Sequence, residues 1–242
     1  MKINLKIQRY NSETDEQPYF QEYTVDAAPN ERLLDALMNI KRFQDGSLGF
    51  RKSCAHGVCG SDAMRINGKD RLACKTLIKD VVQNEGDTIT VEPQRYMPVQ
   101  RDLIVDQGKF FEKYRAVKPF MINDDPVAEK ERLQSQEERM RFDDATNCIL
   151  CAACYSSCPI LEKMPAFIGP AAITQAFRFL ADTRDRGFEE RLPALDLPEG
   201  VWACENHFEC TKCCPRSILI TKRINQTKKM IEKHKTAEGE SS

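Results

Sequence analysis

Four cysteines in the second half of the chain have the spacing of a ferredoxin loop. Cys148, Cys151, Cys154 and Cys158 are followed directly by Pro159, which gives C-x2-C-x2-C-x3-C-P. Thiolates this close together on one loop hold most corners of a cubane, and in two-cluster ferredoxins the fourth cysteine ligates the other cluster. The run therefore predicts an iron–sulfur centre and requires a second run elsewhere.

A second run follows, with one substitution. Its spacing is the same, but histidine replaces the second cysteine: Cys204, His207, Cys210 and Cys214, then Pro215. Exchange of the fourth ligands predicts a 4Fe-4S cluster held by Cys148, Cys151, Cys154 and Cys214. It leaves a partner cluster with the ligands Cys158, Cys204 and Cys210. A 3Fe-4S cluster suits that set, because its fourth corner has no thiolate.

Three points in these runs stay open. Paired cysteines also bind structural zinc, although crossed runs that end in proline have no rationale in a zinc site. His207 either ligates a fourth iron or occupies the vacant corner and hydrogen-bonds outward. Cys213 lies off the spacing, and we expect it to be a small buried apolar side chain.

An earlier group of residues fits the plant-type 2Fe-2S spacing. Cys54 and Cys59 are followed by Asp62, where that template has a third cysteine, and Cys74 is the distant fourth ligand. Asp62 is expected to be an oxygen ligand to iron, the alternative being a carboxylate that caps the loop. His56, inside the loop, is expected to be exposed.

Turn residues explain how this group comes together. Gly57 and Gly60 allow the backbone to approach the sulfur atoms, so that amide N–H groups can stabilise the charge of a cluster. Asn67-Gly68 predicts a two-residue β-hairpin that returns Cys74 to the site.

The first hundred residues favour a helix packed on a small sheet. Ile3, Leu5 and Ile7 alternate with polar residues, and 88–91 is rich in β-forming residues. A helix with Asn30 as its N-cap is predicted over the apolar positions 33, 34, 37 and 38.

The rest of the chain favours helices. Helices are predicted from Leu103 to near Pro119, across the charged segment 128–141, after Gly169-Pro170, and from Ile218 to about His234. Residues 123–126 are predicted to form a linker. Cysteine-bearing loops would then join the helices of a second domain. We place the domains at 1–105 and 106–242.

Composition excludes several classes of protein. The chain has 242 residues, a net charge of −1 and 30% charged residues, which is no signature of nucleic-acid binding. Eleven cysteines, an odd number, disfavour a disulfide framework. No apolar run approaches the roughly 20 residues needed to span a bilayer.

These motifs together resemble the iron–sulfur subunit of succinate dehydrogenase and its relative fumarate reductase. Beyond the cysteines, the resemblance includes SCAHGVCGSD at 53–62, RLAC at 71–74, FFEKYRAVKP at 110–119 and FIGP at 167–170. It covers nearly the whole chain. Some members of that family have aspartate at the place of Asp62, where it is a cluster ligand.

The resemblance implies an α+β protein. An N-terminal β-grasp 2Fe-2S ferredoxin-like domain would be followed by an all-α ferredoxin-like domain that carries the other two clusters. It also implies a flavoprotein subunit with covalent FAD that oxidises succinate, and membrane-anchor subunits that often carry haem b. Electrons would pass from flavin through the 2Fe-2S, 4Fe-4S and 3Fe-4S clusters to a quinone. A subunit of a quinol:fumarate reductase is the nearest alternative, and a zinc-stabilised interaction module is a remote one.

The quinone end departs from the family. Many relatives have a tryptophan shortly after the equivalent of Pro159, whereas this segment is ILEKMP. The departure favours menaquinone over ubiquinone. The positions expected nearest the quinone headgroup are Pro159, Ile160 and His207. Since Met1 begins a predicted strand almost at once, we expect a bacterial chain, peripheral on the cytoplasmic side of the inner membrane.

Overall fold

The computed structural model describes residues 1–240, and these form two compact units. The first unit contains 1–108, 149–157 and 213–215. The second contains 109–148, 158–212 and 216–240. Two short cysteine-bearing stretches from the second half of the chain thus belong to the first unit. The division into domains at 105 and 106 stays a prediction.

A five-stranded sheet is the framework of the first unit. Its strands are β1 (Lys2–Arg9), β2 (Tyr19–Asp26), β3 (Ala63–Ile66), β4 (Lys69–Leu72) and β5 (Thr88–Glu92), in the order β2-β1-β5-β3-β4. The side chains of Ile3, Leu5 and Ile7 are fully buried, as their alternation predicts. Asn67 and Gly68 alone separate β3 from β4, and both have positive φ, which confirms the predicted hairpin.

Helix α1 (Leu33–Phe43) lies where the apolar spacing places it, but its predicted cap is wrong. The N-cap residue is Arg32, and no side chain caps the helix. Instead the backbone N–H of Leu33 donates to the carbonyl of Thr76 at 2.9 Å. A segment distant in the sequence therefore satisfies a donor that Asn30 was expected to satisfy.

The helix predicted from Leu103 begins later. Residues 99–105 form a two-stranded sheet of β6 (Val99–Arg101) and β7 (Ile104–Val105), and α2 is Gly108–Ala116. At the turn, the Asp102 carboxylate accepts hydrogen bonds from the Arg9 side chain (3.0 Å) and the Gly49 backbone (2.6 Å). These partners hold Asp102 in a left-handed conformation, with φ of 48°, that a helix excludes.

The second unit is helical, as predicted. Its further helices are α3 (Gln136–Met140), α5 (Ile160–Lys163), α6 (Pro170–Leu180), α7 (Phe188–Leu195), α8 (Glu209–Lys212) and α9 (Ile220–Glu240), while α4 (Ala153–Ser156) belongs to the first unit. Pro170 opens α6, as expected. The helix predicted across 128–141 is reduced to α3, which begins at the capping box of Ser135 and Glu138.

A buried ion pair lies within the second unit. The side chains of Arg191 and Asp185 are 0% and 2% exposed and approach to 2.6 Å. Arg191 also donates to the carbonyls of Lys118 and Phe120, so its donors are matched to acceptors. Among residues 1–240, no helix is both long enough and apolar enough to cross a bilayer.

Candidate iron–sulfur centres

The first unit brings together the four residues predicted to bind a 2Fe-2S cluster. Cys54, Cys59 and Asp62 lie on the loop between α1 and β3, and Cys74 lies in a single helical turn after β4. The backbone N–H of Cys59 donates to Sγ of Cys54 at 3.3 Å, and that of Cys74 donates to Oδ2 of Asp62 at 2.6 Å. The β3-β4 hairpin thus delivers Cys74 to the loop.

Backbone amides prepare the first thiol for metal binding. The N–H groups of His56 and Cys59 point at Sγ of Cys54, at 3.5 and 3.3 Å. They lower the pKa of Cys54 to about 6. The thiolate is the form that ligates metal, so these amides favour the ligating state. His56 itself is exposed, and its Nδ1 contacts the carbonyl of Cys54 at 2.7 Å.

One oxygen of the Asp62 carboxylate is available as a metal ligand. Asp62 is 2% exposed, and its Oδ1 has no hydrogen-bond partner among residues 1–240. A buried acceptor normally has a partner, and an iron ion would satisfy this one. Oδ2 meanwhile caps the backbone at Cys74, so the carboxylate can serve both roles weighed from the sequence. Burial, with Asp62 beside it, raises the pKa of the Cys74 thiol to about 12, and bound iron would offset that cost.

Gly60 allows the loop to approach the chain at Cys151, within the same unit. Its φ is +71°, and a Cβ atom placed there would lie 2.7 Å from Cβ of Cys151. Gly57 likewise has positive φ. The close approach leaves no room for a side chain at position 60.

The second unit gathers the three thiols expected to hold a 3Fe-4S cluster. Cys158, Cys204 and Cys210 line one cavity, together with the apolar side chains of Ile160 and Phe167. Burial raises the pKa of Cys158, and it raises the pKa of Cys210 to about 11. The set is therefore all sulfur, with two of its three thiols buried, which suits an iron–sulfur cluster better than a hard cation.

The positions expected near a quinone line this same cavity. They are Pro159, Ile160 and His207. The His207 side chain is 42% exposed, and its Nε2 contacts the Glu205 carboxylate at 3.0 Å. That contact corresponds to the outward hydrogen bond considered for His207.

The residues proposed for the 4Fe-4S cluster lie in both units. Cys151, Cys154 and Cys214 belong to the first, where Cys151 and Cys154 are buried, and Cys148 belongs to the second. Leu150 and Ala152 have positive φ, so the chain turns sharply on either side of Cys151. The complete set of four ligands stays a prediction from the sequence.

Cys213 is partly buried against the apolar core of the first unit, in keeping with the apolar role expected for it.

Sequence spacing gave no sign of the polar side chains that contact the cysteines of the cavity in the second unit. Lys228, on α9, donates to the carbonyl of Cys204 at 2.9 Å. The hydroxyl of Thr221 lies 3.5 Å from Sγ of Cys210. Among the side chains that the structure describes, no three His, Cys, Asp or Glu residues are arranged for a single metal ion.

Comparison with known proteins places the three cysteine groups in two described domains. Residues 4–112 match the 2Fe-2S iron-sulfur cluster binding domain, and 144–218 match the 4Fe-4S dicluster domain. The chain is 42% identical to a succinate dehydrogenase iron-sulfur subunit of Coxiella burnetii, covering 98% of this chain and all of the relative. It is 40% identical to a fumarate reductase iron-sulfur subunit of Mycobacterium tuberculosis, covering 90% and 87%.

A solved structure matches the whole fold. It is the Mycobacterium smegmatis Sdh1 complex in the apo form, with a TM-score of 0.86, 27% identity and 97% of each chain covered.

Proposed function

Because the chain belongs to the family of succinate dehydrogenase and fumarate reductase iron–sulfur subunits, we propose that it relays electrons within a succinate:quinone oxidoreductase. Bound iron–sulfur clusters would supply the one-electron carriers. The chain would contribute ligands, hydrogen bonds and burial, and it would need no acid or base of its own.

One observation supports this proposal most directly. In the second unit the three thiols meet Pro159, Ile160 and His207 in a single cavity. A quinone that contacts these positions would lie next to the last cluster, so an electron would need only a short transfer. Buried Cys158 and Cys210 lie on the shielded side of this cavity, and the exposed residues 205–209 line its other side.

The 2Fe-2S site in the first unit would form the other end of the path. Amide groups directed at Cys54 compensate the negative charge of a bound cluster, and buried Asp62 supplies a hard ligand beside three thiols. We propose that this end receives electrons from a flavoprotein subunit with covalent FAD. Membrane-anchor subunits, with haem b where they carry it, would complete the quinone site.

The experiment uses the intact purified complex with succinate as the only reductant. We expect succinate to reduce the 2Fe-2S cluster and the electrons to continue to a soluble quinone analogue. In a Cys158→Ser variant, quinone reduction should fall at least tenfold while succinate still reduces the 2Fe-2S cluster. The control is His56→Ala, because His56 is exposed and is not among the proposed ligands. If succinate reduces no cluster in the unmodified complex, the proposal is wrong.

The match to a fumarate reductase subunit favours a second candidate, the reverse reaction. Direction depends on the potentials of the clusters and the quinone. Rates of succinate oxidation and fumarate reduction, measured on the same preparation, distinguish the two. A higher rate of succinate oxidation is expected.

We also propose menaquinone as the quinone, since the segment 160–165 has no tryptophan. The complex would lie peripherally on the cytoplasmic face of a bacterial inner membrane. Quinone extracted from the purified complex should be menaquinone, and finding ubiquinone alone would refute this assignment.

A further inference from the structure

A buried hydroxyl group contacts one of the three thiols in the second unit. Thr221 lies in the first turn of α9 and is 1% exposed, and its Oγ1 is 3.5 Å from Sγ of Cys210. Either atom could donate if the sulfur were a thiol, but a thiolate has no proton to donate. Thr221 must then be the donor.

A second threonine orients this hydroxyl. The backbone N–H of Thr221 donates to Oγ1 of Thr211 at 3.0 Å, and the two hydroxyl oxygens are 3.0 Å apart. Thr211 thus accepts from the backbone, and its own proton can go to Oγ1 of Thr221 or to Sγ of Cys210, because the Thr211 side chain also hydrogen-bonds to that sulfur. The Thr221 proton is then directed at Cys210. Every donor in this hydrogen-bond network has an acceptor, which favours one orientation of the Thr221 hydroxyl.

In the described part of the chain, no threonine hydroxyl contacts the other two thiols of the cavity, and Sγ of Cys204 instead lies 3.9 Å from Oδ1 of Asn206. Backbone amides of Ile160 and Leu161 stabilise the Cys158 thiolate, and Lys228 donates to the carbonyl of Cys204 rather than to its sulfur. The hydrogen bond at Cys210 comes from side chains, so substitution can remove it without a change in the backbone.

We propose that Thr221, oriented by Thr211, raises the reduction potential of the cluster that Cys210 ligates. The inference rests on the proposed function, in which that cluster is the three-iron centre beside the quinone. A reduced cluster has one more negative charge than an oxidised one, so a hydrogen bond to its sulfur stabilises the reduced form more. Thr221 is a positioning residue, since it acts through Cys210. The higher potential favours arrival of the electron at the last carrier.

The test is a redox titration of the three-iron EPR signal in the intact complex. Thr221→Val removes the hydroxyl and keeps the branched shape, so the midpoint potential should become more negative. Thr221→Ser keeps the hydroxyl and should stay near the unmodified value. Thr211→Val should shift the potential in the same direction by a smaller amount.

Thr227 provides the matched control on the same helix. It is fully buried, and its hydroxyl donates to the backbone carbonyl of Arg223. Thr227→Val should leave the potential unchanged, because that hydroxyl serves the helix. A shift as large as that of Thr221→Val would show a general packing effect and overturn the inference.

Two further outcomes separate the inference from the proposed function. An unmodified complex with a normal three-iron signal, whose potential does not move in Thr221→Val, refutes the role of Thr221 alone. An unmodified complex without the three-iron signal refutes the proposed centre, and the inference with it. If Thr221→Val does not assemble, an unchanged potential in Thr211→Val refutes the proposed effect of the two threonine hydroxyls on the cluster.

Discussion

Gly60→Ala should destabilise the first unit through two separate effects. The left-handed backbone, with φ of +71°, costs a residue with a Cβ atom about 1–2 kcal/mol. The new methyl group would also lie 2.7 Å from Cβ and 3.0 Å from Cα of Cys151, and overpacking of this kind costs about 1–3 kcal/mol. Since a backbone atom is involved, rotation of a side chain cannot relieve the contact. Together these effects predict a loss of about 2–5 kcal/mol.

Gly86→Ala isolates the first effect. Gly86 also has positive φ, +88°, but an added Cβ would meet nothing within 4 Å. We expect a loss of about 1–2 kcal/mol there. Both variants are compared in the purified complex by guanidinium titration, with the visible absorbance and the 2Fe-2S EPR signal as probes. Equal midpoints for the two variants would refute the claim that the loop containing Gly60 packs tightly against Cys151.

Substitutions at three more positions test the ligands and the charged side chains. Asp62→Ala should abolish the 2Fe-2S EPR signal, whereas Asp62→Cys should retain it with altered g-values; a normal signal in the alanine variant would exclude Asp62 as a ligand. Arg191→Met leaves Asp185 buried without its partner and should cost about 3–5 kcal/mol in denaturant unfolding; a loss below 1 kcal/mol would contradict this account. A hydrogen bond from Ser47 is the largest cause that holds the pKa of Asp45 below its ordinary value of about 3.9. Ionised Asp45 therefore stabilises the fold above that pH. The difference in free energy of unfolding between the unmodified protein and Asp45→Asn should disappear as the pH falls below it. A pH-independent difference would be inconsistent with that cause.

Local patterns were sufficient to predict much of the fold. The alternation of Ile3, Leu5 and Ile7, the Asn67-Gly68 turn and the proline at the start of α6 each act through neighbours in sequence, and each is confirmed. The predictions were wrong where residues distant in the sequence determine the local structure. The N–H of Leu33 is satisfied from Thr76, so α1 needs no capping side chain.

The same reasoning applies to the candidate sites. Cysteine spacing predicted that Cys158, Cys204 and Cys210 form one set, and they line one cavity. Spacing could not predict the hydroxyl at Thr221, because its position depends on how α9 lies against the preceding loop. Nor could it predict that one oxygen of Asp62 is buried without a partner, since burial is a property of the folded loop.

Low-temperature EPR of the intact complex, first oxidised and then reduced, tests most directly whether this chain holds separate iron–sulfur carriers. We predict a three-iron signal in the oxidised complex and a 2Fe-2S signal after reduction. A colourless preparation that contains zinc without acid-labile sulfide, or an oxidised complex with no three-iron signal, would contradict the account.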